Sequence, residues 1–135
     1  MEKIWHDLYR EAKNKLSTKE IPPFIESGTS ACAIEAGNGQ IYSGISITSN
    51  TSINVNAEKS AIISMFNDNE FTIKKIVILN ELEEVIPPSA ECFEYILELN
   101  IIPDDIEILT DYDQKTIAKV RDLLPDWWGT YRNKK

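Results

Sequence analysis

The sequence predicts one α/β domain, a mixed sheet with helices on its faces. Three observations lead there. Stretches of helical period and short apolar runs follow one another in the order α-β-β-α-β-α-β-α. Two of those runs are joined by Gly37-Asn38-Gly39, which is strong hairpin chemistry. The length of 135 residues suits one core and leaves little room for a second.

Each element has its own local reason. Over 3–17, Ile4, Leu8, Ala12 and Leu16 recur four apart with Trp5 beside them, and Lys, Arg and Glu take the opposite side. That pattern predicts an amphipathic helix covering one face of the sheet. Pro22-Pro23 and Gly28 mark 18–28 as a loop. Residues 30–36 and 40–47 read as strands flanking the glycine turn. A phosphate-binding loop is the sharper reading of Gly37-Asn38-Gly39, but no later Gly or Lys follows and no helix opens there.

The polar stretch from Thr48 to Val55 leads into a helix over 57–67. Residues 74–80 form a short buried strand, and Pro87-Pro88 interrupts the chain before a helix over 89–99. A strand over 105–109 and a helical segment over 115–123, stopped by Pro125, complete the order. With no internal repeat, low-complexity tract or linker, residues 1–135 read as one domain.

Composition narrows the function. The chain is 42% apolar and 27% charged, which fits neither a disordered chain nor a membrane one. No apolar run approaches the roughly 18 residues of a membrane span, and the opening Met1-Glu2-Lys3-Ile4-Trp5-His6 has no secretory layout. A cytoplasmic protein is expected. A net charge of −8 argues against nucleic acid as a partner, because phosphate backbones are held through Lys and Arg. Cys32 and Cys92 make no disulfide framework and are expected to be thiols.

Two places in this order carry chemistry. Asn56-Ala57-Glu58 opens the helix after the hairpin, and Pro88-Ser89-Ala90-Glu91-Cys92 opens the next. Zinc nucleobase deaminases place a His- or Cys-x-Glu motif and then Pro-Cys-x-x-Cys at such helix starts. In placement, spacing and surrounding elements the chain resembles the cytidine deaminase and blasticidin S deaminase family. Asp122-Leu123-Leu124-Pro125-Asp126-Trp127-Trp128-Gly129 is similar to the segment that closes small cytidine deaminases. The resemblance implies a three-layer domain with a mixed sheet of about five strands. It also implies a zinc-activated water as nucleophile, a carboxylate at Glu58 as proton shuttle, and a homodimer or homotetramer.

Carried onto this sequence, the family's metal positions fall on Asn56, Ser89 and Cys92. Only Cys92 is a strong zinc ligand, since an amide and a hydroxyl bring neither charge nor softness. No zinc is therefore expected, and no other cofactor. Ordinary helix chemistry explains the same residues: Asn and Ser are among the best N-caps, and Glu in a first turn is favoured by the helix dipole. The family's ribose-binding Asn-x-Glu corresponds to Ser46-Ile47-Thr48, and its base-packing aromatic to Trp128. Ser46, Thr48 and Trp128 are accordingly the candidate substrate contacts. Trp127, Trp128 and Tyr131 read more simply as the seal of an interface.

The remaining candidates are weaker. His6, the only histidine, is expected on a solvated helix face. Cys32 belongs to a core strand and is expected to be a small buried residue. The carboxylates at 81–84, 104–105 and 111–113 read as solvated turns. The expected function is a deaminase-fold protein without deaminase activity, serving as a binding or assembly module through an oligomer interface or a small-molecule pocket. The alternative is a zinc-dependent deaminase of a cytosine-like or other aminopyrimidine compound, using Glu58. A third possibility is metal-free chemistry at a Cys92 thiolate.

Overall fold

The computed structural model describes residues 1–51, 54–99 and 105–123. In chain order the elements are α1 (Lys3–Lys15), β1 (Lys19–Ile21), β2 (Ile25–Ala36), β3 (Ile41–Thr48), α2 (Ala57–Asn67) and β4 (Ile73–Leu79). They continue with α3 (Ala90–Leu99), β5 (Glu107–Asp111), β6 (Thr116–Lys119) and the one-turn α4 (Val120–Leu123).

The strands form one six-stranded mixed sheet in the order β1-β2-β4-β5-β6, with β3 paired to β2 outside that path. β2 is antiparallel to β1, β3 and β4, whereas β4 and β5 run parallel around α3. Strand alternation sorts the core into two layers. Ala31 and Ala33 of β2, with Val77 and Leu79 of β4, face α1 and pack on Trp5, Leu8 and Ala12. Cys32 and Ile34, with Ile76 and Ile78, face the other way and pack on Ala57, Ala61, Met65, Cys92 and Ile96 from α2 and α3. A sheet covered on both faces explains why β4 reads as a continuous apolar run.

The glycine turn is a hairpin: Gly39 has φ 85°, its N–H donates to the Ala36 carbonyl, and the Gln40 N–H donates to Asn38 Oδ1 at 2.9 Å. Gly44 has a different task. A Cβ at this point of β3 would lie 2.3 Å from the backbone nitrogen of Ala61, so its absence lets α2 lie directly on the strand.

Four sequence expectations need correction. Residues 18–28 are not a plain loop, because Lys19 pairs with Ser27 and Ile21 with Ile25 around Pro22-Pro23. The prolines sit in the turn, where no ladder N–H is required, and this hairpin adds a strand to the sheet. Residues 115–123 are not one helix, since Thr116–Lys119 pairs antiparallel with β5 and only Val120–Leu123 is helical. The tight turn made by Asp111 to Lys115, with Lys115 at φ 57° and Gln114 N–H on Asp111 Oδ1, reverses the chain into that strand. The strand expected at 105–109 lies two residues later.

His6, finally, is half-buried rather than solvated. Its Nδ1 lies 2.9 Å from the Tyr112 hydroxyl, and Tyr112 in turn stacks on Tyr9 at 3.8 Å. No helix among the described residues is long and apolar enough to cross a membrane.

Candidate functional site

The starts of α2 and α3 meet above the face of β2 that carries Cys32. Asn56 is extended (φ −80°, ψ 165°) and its Oδ1 accepts the Lys59 N–H at 2.9 Å, so it is the N-cap of α2. Ser89 stands at the equivalent place before α3, with its Oγ accepting the Cys92 N–H at 3.4 Å and its carbonyl accepting the Phe93 N–H. Both residues satisfy backbone donors that a helix start leaves open.

The two caps also bond to each other's helix. Asn56 Nδ2 donates to Ser89 Oγ at 3.2 Å, and the Cys92 thiol donates to Asn56 Oδ1 at 3.0 Å. Glu58, only 5% exposed in the first turn of α2, accepts the Ser89 N–H on Oε2 at 3.0 Å. Above this cluster Lys59 forms an ion pair with Glu91, and its ammonium lies 5.5 Å from the centre of the Tyr95 ring. The hydrogen bond to Glu91 raises the Lys59 pKa above its ordinary value.

Both thiols are buried. Burial pushes the Cys92 thiol above its ordinary value of 9.0, and the Glu58 carboxylate adds to the shift against the lowering effect of the Ser89 and Asn56 hydrogen bonds. Cys32 is raised much further, again by burial first and by the Glu58 charge second. Each sulfur is therefore a neutral S–H at physiological pH. Among the described residues no group of three or more His, Cys, Asp or Glu side chains is arranged to hold a metal ion.

No known family model matches the sequence, and no curated protein matches it. Solved structures do. The cytidine deaminase of Mycobacterium tuberculosis superposes with a TM-score of 0.73 at 19% identity, covering 93% of this chain and 97% of that one. That of Bacillus anthracis gives 0.73 at 18% identity over 97% and 94% of the two chains. That of Burkholderia pseudomallei gives 0.69 at 23% identity over 91% and 98%.

The chain has a cytidine deaminase-like fold.

Within this cytidine deaminase-like fold, Asn56, Glu58, Ser89 and Cys92 come together as the sequence motifs required. The other expected site residues do not join them in any described contact. Ser46 is buried, and its Oγ lies 3.0 Å from Thr29 Oγ1 and accepts the Ser30 N–H at 3.1 Å. It thereby bridges the irregular stretch of β2 between Ser27 and Ala31, where the β2–β3 register shifts. Thr48 Oγ1 donates to the Glu26 carbonyl at 3.4 Å. Trp128, with Trp127 and Tyr131, lies outside the described residues.

Sequence reasoning missed Lys59, Glu91 and Tyr95 at this place. Lys59 follows Glu58 and Glu91 precedes Cys92, so adjacency to the motifs was the available signal. Their pairing across 32 residues became visible only once the two helix starts were brought together.

Proposed function

We propose that this chain is a cytidine deaminase-fold protein without zinc-dependent deaminase activity, acting as a binding or assembly module. The observation that carries the reading is the engagement of Asn56. Its oxygen accepts from Lys59 N–H and the Cys92 thiol, and its nitrogen donates to Ser89 Oγ. A cation drawing on this side chain has to break a helix cap and the part-buried hydrogen bond from the Cys92 thiol while receiving no negative charge in return.

The donor set is one amide, one hydroxyl and one thiol. Zinc is held by anionic sulfur, imidazole or carboxylate, and these three residues do not fit it. Zinc, when bound, would supply an acidified water as nucleophile. Here Glu58 instead serves the helix start, accepting the Ser89 N–H.

The assembly part of the proposal rests on the outer side of α2. Ile63 and Phe66 are exposed there at one-turn spacing, Phe71 meets Phe66 edge-on at 5.0 Å, and Tyr95 of α3 is exposed beyond Lys59. Among the outward residues of α2, Lys59, Ile63 and Phe66 follow a single helical stripe. We assign self-association, as a homodimer or homotetramer, to this apolar face. The same reading takes residues 1–135 as one domain in the cytoplasm, with a small molecule as the alternative partner; the net charge of −8 argues against nucleic acid, and no described helix is long and apolar enough to cross a membrane.

A second reading is favoured by one observation: the carboxylate of Glu58 is kept, buried, between the two helix starts. It is zinc-dependent deamination of a cytosine-like or other aminopyrimidine compound with Glu58 as proton shuttle. Ammonia release from a panel of such compounds, measured with zinc supplied, separates the two. Silence across the panel is the expected result. Release that Glu58→Gln abolishes overturns the first reading and establishes the second.

A further inference from the structure

We infer that Asn56, Ser89 and Cys92 form a metal-free clasp that joins the starts of α2 and α3 and fixes α3 on the sheet. The inference rests on the poor fit of these residues to zinc, and goes beyond it by giving the replaced side chains a task of their own. Asn56 and Ser89 lie 33 residues apart in sequence, with α2, β4 and their connecting turns between them. Capping alone needs each residue to serve only its own helix. In the structure each side chain also reaches the other helix, through Asn56 Nδ2 to Ser89 Oγ and the Cys92 thiol to Asn56 Oδ1.

The chemistry suits the place. Cys92 is fully buried, and a weak S–H donor in an apolar setting gains more from an amide oxygen than it does in water. The Asn56 oxygen is shared by the thiol and the Lys59 N–H, so one atom fixes the first turn of α2 and the first turn of α3 together. Glu58 adds a parallel link by accepting the Ser89 N–H. A tetrahedral metal ties helix starts through charge; this clasp ties them through complementary neutral donors and acceptors.

The test uses the full chain and reads amide hydrogen exchange element by element. Asn56→Ser retains an N-cap residue for α2 but is too short to reach Ser89 or the thiol. Exchange of the Cys92 and Phe93 amides is expected to speed up on the order of tenfold, with β2 and β4 amides unchanged. Cys92→Ala and the double variant Asn56→Ser/Cys92→Ala complete a cycle in which the two losses are less than additive. If Asn56→Ser folds too poorly to measure, Cys92→Ala alone reports the same amides. Unchanged exchange at the start of α3, or fully additive losses, overturns the clasp while leaving the absence of zinc untouched. Stoichiometric zinc on the parent chain overturns the reading beneath it.

Discussion

The thiol of Cys92 donates to the amide oxygen of Asn56 at 3.0 Å, and that same oxygen caps α2 through the Lys59 N–H. This pairing decides how the site is understood. In a zinc site both positions would carry ligands that present charge to a common ion. Here they complete one another as neutral donor and acceptor, while Asn56 caps α2 and Ser89 caps the start of α3.

Placing anionic sulfur at both altered positions should create what the present side chains lack. Asn56→Cys/Ser89→Cys presents three thiols from two helix N-termini, where thiolates are favoured. The double variant is expected to take up about one zinc per chain, by the three-ligand logic of an open zinc site. Elemental analysis after dialysis checks it. Failure of the double variant to bind shows that the helix starts no longer have metal geometry.

Neither thiol should react readily in the folded chain. Burial keeps Cys32 and Cys92 protonated, so alkylation near neutral pH is expected to be slow and to become complete on unfolding. Mass spectrometry of native and denatured samples checks this. Rapid modification of Cys92 in the native protein would revive chemistry at that thiol.

The same shifts have a consequence for stability. Below the ordinary thiol value of 9.0 both folded and unfolded chains hold the proton, and these groups contribute no pH dependence. Above it the unfolded chain loses the proton while the folded Cys32 keeps it, so stability falls as pH rises, by up to about 1.4 kcal/mol per pH unit for each such thiol. Denaturant unfolding of the parent and Cys32→Ala chains between neutral and alkaline pH is the measurement. Cys32→Ala should flatten the alkaline slope.

Gly44→Ala should destabilise the fold by about 3 kcal/mol, toward the upper end for overpacking, because the added methyl meets backbone of α2 rather than a flexible side chain. Gly39→Ala meets nothing within 4 Å and carries only the strain of its φ of 85°. The two variants compared in one denaturant series separate close approach from turn geometry. Equal losses would contradict the direct seating of α2 on β3.

The exposed α2 face gives a test of assembly. Phe66→Asp places a charge beside Phe71 and should shift the chain toward monomer in sedimentation velocity, with little loss of stability because Phe66 is already 40% exposed. A parent chain that sediments as a monomer at high concentration removes the proposed interface.

Much of this was legible in the sequence where local rules and the fold agree. Ala57–Asn67 matched its expected bounds because Asn56 is a strong cap and Asp68 ends the helix. The Gly37-Asn38-Gly39 hairpin was equally plain. The Pro22-Pro23 hairpin was hidden because prolines inside a short exposed strand pair resemble a loop, and pairing with β2 is a long-range fact. β6 was hidden because Thr116–Lys119 is short and exposed on most of its length, so period carries no signal and only β5 makes it a strand.

At the site, the motif positions announced Asn56, Glu58, Ser89 and Cys92, but not the bonds among them. Hydrogen bonding between side chains 33 and 36 residues apart depends on where α2 and α3 begin in space. The burial of Ser46 was obscured for a related reason: its partners, Thr29 and Ser30, are set by a bulge in β2 that spacing does not reveal.

The most direct measurement is zinc content after the purified chain, expressed without added metal, is incubated with excess zinc and dialysed. The expected result is far less than one zinc per chain and no change in thermal unfolding with or without a chelator. One tightly held zinc per chain, lost on mutation of Cys92, would contradict it.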